Sequence, residues 1–102
     1  MRVFFLRDRT MFPVACLASE KIDTTIKVAL SIHNPIDTFN RSRGRDIAEK
    51  RLQKGKLYAE LSADRPKVQL MWKLFNDKEL PTRVRKAAEV WLREHDEFPD
   101  PD

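Results

Sequence analysis

A single cysteine, Cys16, leaves the chain without an internal disulfide and without the ligands of a cysteine zinc site. Two histidines are too few for a histidine-rich metal cluster. Glycine is as scarce. Gly44 and Gly55 are the only two, so neither G-x-x-x-x-G-K-[ST] nor G-x-G-x-x-G can be written, and those two phosphate loops are excluded. No apolar run approaches the ~20 residues that span a bilayer. The run Val3-Phe4-Phe5-Leu6 stops at Arg7, too early for a secretory leader, so the chain reads as cytoplasmic. No carboxylate pair or nucleophile–base spacing stands out. The expectation is a protein that is not an enzyme and uses no cofactor and no metal.

What the chain does have is charge, in blocks. Charged residues make up 35% of its 102 positions and apolar ones 41%, enough for one modest core and against general disorder. The net charge is +4, but residues 41–56 alone hold seven Lys and Arg against two acids, Asp46 and Glu49. Residues 94–102 hold five acids and no Lys or Arg. The reading is one domain over residues 1–95 and an acidic, flexible tail over 96–102.

Hydrophobic periodicity predicts an α+β fold, with a small antiparallel β-meander followed by two or three helices packed on the sheet. Arg2 to Arg7 reads as a first strand, Val14 to Ser19 as a second, and Thr25 to His33 as a third. In the third, Ile26, Val28, Leu30 and Ile32 share one face, and Lys27, Ala29, Ser31 and His33 the other. Glu20 to Thr24 reads as a turn. Asn34-Pro35 ends the third strand. A helix follows, with Phe39, Ile47, Ala48 and Leu52 at helical spacing and Gly55 as its stop. Asp37, Thr38 or Ser42 would cap it. Asp64-Arg65-Pro66 opens a second helix with the stripe Val68, Met71, Trp72 and Phe75. Leu80-Pro81-Thr82 opens a third with Val84, Ala87, Ala88 and Trp91, running to about His95. Residues 57–63 fit a loop, a short helix or a fourth strand. The first strand is apolar on both faces, Val3 and Phe5 on one and Phe4 and Leu6 on the other. Either helices cover both faces or a second chain does, which raises a homodimer or higher oligomer as an expectation.

The stretch Thr38-Phe39-Asn40-Arg41-Ser42-Arg43-Gly44-Arg45 carries the functional expectation. It leaves a strand and enters a helix, where backbone N–H groups and the helix dipole favour anions. Arg41, Arg43 and Arg45 supply forked donors suited to phosphate oxygens. Ser42 adds a hydroxyl, and Gly44 allows close approach of a ligand or of neighbouring backbone. Phe39 is placed either to stack on a nucleobase or to staple the helix start. His33 and Asp37 flank the Asn34-Pro35 turn and complete the set. With Ser31 they invite a hydrolase triad, but no G-x-S-x-G elbow is present.

The residues Asn34-Pro35-Ile36-Asp37-Thr38-Phe39-Asn40-Arg41, with Gly44-Arg45-Asp46-Ile47-Ala48 and Arg51-Leu52, resemble a segment of small uncharacterised phage-encoded proteins. The likeness covers about a fifth of the chain. It implies a counter-defence setting in the host cytoplasm, in which such proteins sequester a nucleotide signal or block a defence protein. The functional expectation is therefore a non-enzymatic binder of a phosphate-bearing ligand, a small nucleotide first. The alternatives are a DNA- or RNA-binding module on the basic face 41–56 and a protein-binding inhibitor whose acidic tail meets a basic host surface.

Overall fold

The computed structural model describes residues 1–34, 40–95 and 97. Asp37 and Phe39 fall outside these, as does the proposed tail apart from Glu97. The elements in chain order are β1 (Arg2–Arg7), β2 (Pro13–Ile22), β3 (Thr25–Ile32), α1 (Arg41–Gln53), β4 (Ala59–Ser62), α2 (Pro66–Asn76) and α3 (Thr82–Glu94). The strands form one antiparallel sheet in the order β1-β2-β3-β4. The α+β expectation of a meander followed by helices holds. No helix among the described residues is long and apolar enough to cross a membrane.

Each local break has a visible cause. Asp8 closes the β1–β2 turn, its Oδ1 accepting from Thr10 N (2.9 Å), Thr10 Oγ1 (2.7 Å) and Phe12 N (2.9 Å). The second strand is longer than Val14 to Ser19. Glu20, Lys21 and Ile22 continue the ladder opposite Lys27, Ile26 and Thr25. Glu20 and Lys27 face each other with opposite charge, which favours the extension, and only Asp23 and Thr24 are left to turn. Residues 57–63 resolve into β4, where Ala59 and Leu61 point inward and Glu60 and Ser62 outward. Four residues are too few for that alternation to stand out in the sequence. β4 pairs with β3 only as far as Val28. Beyond it, the Leu30 carbonyl accepts instead from Arg51 Nη1 of α1 at 2.6 Å. At the end of β3, Arg83 Nη2 of α3 donates to the His33 carbonyl at 2.8 Å.

Helices lie on both faces of the sheet. On one face Leu6, Leu17, Val28, Leu30 and Leu61 meet Leu70, Met71 and Leu74 of α2 and Val84, Ala87, Ala88 and Leu92 of α3. The stripes are rotated slightly from those expected. Leu70 and Leu74 are buried where Val68, Trp72 and Phe75 are half-buried, and Leu92 is buried where Trp91 is half-buried. Wide aromatic side chains reach the core from the rim of a helix face, so spacing alone overrates them. Trp91 instead stacks on His95, with ring centroids 3.9 Å apart. On the opposite face α1 covers Cys16, Ala18 and Ala29 through Ala48 and Leu52, with Val3, Phe5 and Leu57 at the margin. The two apolar faces of β1 are thus met by the chain's own helices.

α1 ends in a Schellman motif. Gly55 N donates to the Leu52 carbonyl at 3.2 Å and Lys56 N to the Arg51 carbonyl at 2.8 Å, with Gly55 at φ +72°. A Cβ there would meet nothing within 4 Å, so the demand for glycine is purely conformational. Gly55→Ala is expected to lower stability by about 1 kcal/mol, read as a melting-temperature drop of about 4–8 °C.

Candidate anion-binding site

α1 sits over a patch of the sheet built from small side chains. Cys16, Ala18 and Ala29 are at most 2% exposed, and Ser31 is the one buried polar residue among those described. A Cβ built on Gly44 would lie 3.7 Å from Cys16 Cβ, an ordinary contact, so packing alone does not require glycine there. Asn40, rather than Asp37, Thr38 or Ser42, caps the helix. Its Oδ1 accepts from Arg43 N at 3.0 Å and its carbonyl from Gly44 N at 3.1 Å. Asn is as good a cap as Ser or Asp, and Asn40 itself was the signal available in the sequence. The cap leaves the Arg41 and Ser42 N–H groups outside the helical ladder. No acidic residue occupies the first turn.

The end of β3 and the opening of α1 enclose a pocket of about 130 Å³. Ser31, His33, Asn34, Asn40, Arg43 and Gly44 bring polar groups or backbone to it, and Phe5, Ala15, Cys16, Ile32 and Ile47 form its apolar wall. No carboxylate is among the described residues that line it. Its volume is well below the ~300–1,000 Å³ of pockets that enclose drug-sized ligands. A phosphate-sized group fits; a whole nucleotide does not.

The three arginines do not converge. Residues 41 and 45 lie one turn apart and share a side of α1, while residue 43 turns away from both. Arg41 lies over the Phe5 ring, 5.1 Å from its centroid. Arg45 Nε pairs with Glu49 Oε1 at 2.8 Å, and Lys50 Nζ with Asp46 Oδ2 at 3.1 Å. Arg43 alone of the three reaches the pocket. Ser42 is exposed and does not line it. His33 lies on its wall, its ring tilted against Phe12 at 5.7 Å. Asn34 and Asn40 were not singled out as ligand groups from the sequence, and they complete the polar set. Among the described residues no group of His, Cys, Asp and Glu could hold a metal ion.

Burial of Cys16 pushes its thiol up to about 11, with the negative charge of Glu49 adding to the effect. The unfolded chain releases this proton at lower pH than the folded one, so folding stability is intact below about pH 9 and falls as pH rises toward 11. Native protein at pH 8 is expected to resist alkylation by iodoacetamide, while denatured protein reacts readily. Mass spectrometry of the two reactions checks this.

Compared with known proteins, the chain matches no family model, no curated protein and no solved structure.

Proposed function

We propose that this chain is a non-catalytic binder of a phosphate-bearing ligand, a nucleotide whose phosphate enters the pocket at the start of α1 while its sugar and base remain outside. The observation that carries the reading is the pocket in which Arg43 meets Asn34, Asn40 and His33 beside a helix N-terminus, with no carboxylate among the described residues that line it. Arg43 gives a charge-assisted fork, the two asparagines give neutral donors, and the free N–H groups of the first turn add positive potential. A site with these groups holds an anion without acting on it. Such a protein would work by sequestration, in keeping with the counter-defence setting that the phage resemblance implies.

Calorimetry against cyclic and linear nucleotides, with inorganic phosphate as the minimal probe, tests this. Binding is expected for at least one nucleotide, and Arg43→Ala should weaken it by about tenfold or more at unchanged thermal stability, since the side chain is exposed. Absence of heat with every nucleotide, or full affinity in the variant, overturns the reading.

A DNA or RNA interface is the second reading. It is favoured by the pairing of both α1 acids within the helix, which leaves Arg43, Lys54 and Lys56 on an exposed basic surface. It predicts a steep loss of affinity with salt and no dependence on one arginine.

A further inference from the structure

We propose that the outer edge of β1 is a docking strand for an extended segment of another protein in which acidic and apolar residues alternate. β1 ends the sheet, and no strand of the described residues lies beyond it. The bond from His33 N to the Val14 carbonyl (2.9 Å) sets the phase of the ladder. Cys16 and Ala18 address β3, and Ala15, Leu17 and Ser19 address β1. Their partners Leu6, Phe4 and Arg2 turn their main-chain groups inward, so Val3 directs its own away from the sheet. A sheet edge of this kind is a template for an incoming strand.

Charge selects the occupant. A cation lies over an aromatic ring on each face of this edge, Arg41 over Phe5 at 5.1 Å and Lys67 over Phe4 at 4.5 Å. Arg2 and Arg7 stand at the two ends of the strand. The acids nearby are Asp8, engaged by Thr10 and Phe12, Glu94, and on the α1 side Glu49, paired with Arg45. Beside Phe4 an apolar cleft of about 440 Å³ opens between the sheet and α2, lined by Ile26, Leu61 and Leu70, with Arg2 and Lys67 at its mouth. A strand laid along β1 would place alternate side chains in this cleft and the others beside Arg41. Apolar residues suit the first position and carboxylates the second. A second copy of β1 is a poor occupant. Paired antiparallel about Phe4, it would bring two Lys67 ammonium groups onto one face.

The probe is a labelled peptide of alternating valine and glutamate, followed by fluorescence anisotropy and by exchange of the Val3 amide in NMR. The wild-type chain is expected to bind it and to gain protection at the Val3 N–H. Val3→Pro should abolish binding, because it removes the outward donor at a position where an edge strand tolerates proline. Arg41→Glu should weaken binding about tenfold, and a peptide with lysine in place of glutamate should not bind. Undiminished binding by a folded Val3→Pro variant overturns the proposal, as does equal affinity for the lysine peptide. So does a sedimenting dimer that Val3→Pro dissolves, which would make the occupant a second copy. If Val3→Pro fails to fold, the Val3 exchange measurement on wild type decides alone, and no added protection there refutes it.

Discussion

The seat of α1 on the sheet governs the rest of the molecule. Cys16, Ala18, Ala29 and Ser31 present almost no side-chain bulk, and Gly44 and Ala48 answer them from the helix. Close approach keeps a charged helix attached through few apolar contacts, since only Ala48 and Leu52 of its thirteen residues are buried. Polar ties supplement them, above all the bond from Arg51 to the Leu30 carbonyl, which serves where β4 has ended. The same closeness forms the pocket, because the Asn40 cap is brought over the end of β3. The opposite face is built differently. There Leu, Met and Val side chains fill the layer, and the buried stripes of α2 and α3 are joined by a polar tie from Arg83 to the His33 carbonyl.

Charge on α1 is sorted by helix geometry. Both acids are spent on neighbours one turn away, and such solvent-screened pairs contribute little to stability. Their larger effect is to neutralise Arg45 and Lys50 and so to concentrate uncompensated charge elsewhere. Arg41 and Arg43, adjacent but one in the sequence, end on different sides of the helix, one over an aromatic at the sheet edge and one at the pocket. A run that reads as one cluster therefore supplies two separate surfaces.

The fold was largely legible because its strands and helices obey their periods. The alternation in β3 and the Pro66 start of α2 needed no tertiary information. β4 was hidden by its length, and the extension of β2 by the polar pairs Glu20–Lys27 and Lys21–Ile26, which form a ladder without forming a core. The site was legible only in part. The sequence located the segment that opens α1 and lines the pocket, but three arginines at a spacing of two residues cannot share one face of a helix, and the 3.6-residue turn carries that information. Asn34 and Asn40 were passed over because a lone asparagine beside a turn is common, and its value here comes from the pocket that joins the two. Asp37 and Phe39, also expected at the site, lie outside the described residues.

The register of β4 has a consequence for how the chain assembles. β1, β2 and β3 join through short turns, and α2 and α3 through another, so most of the architecture consists of neighbours in sequence. The pairing of Val28 with Ala59 is different, for it closes a loop that contains all of α1. The entropy lost in that closure grows only slowly with loop length, and burial of Ala48 and Leu52 on the small-residue patch helps to offset it. β4 thereby adds a long-range tie between the meander and the helical pair, beside the direct packing of Leu6, Leu17, Val28 and Leu30 on α2 and α3.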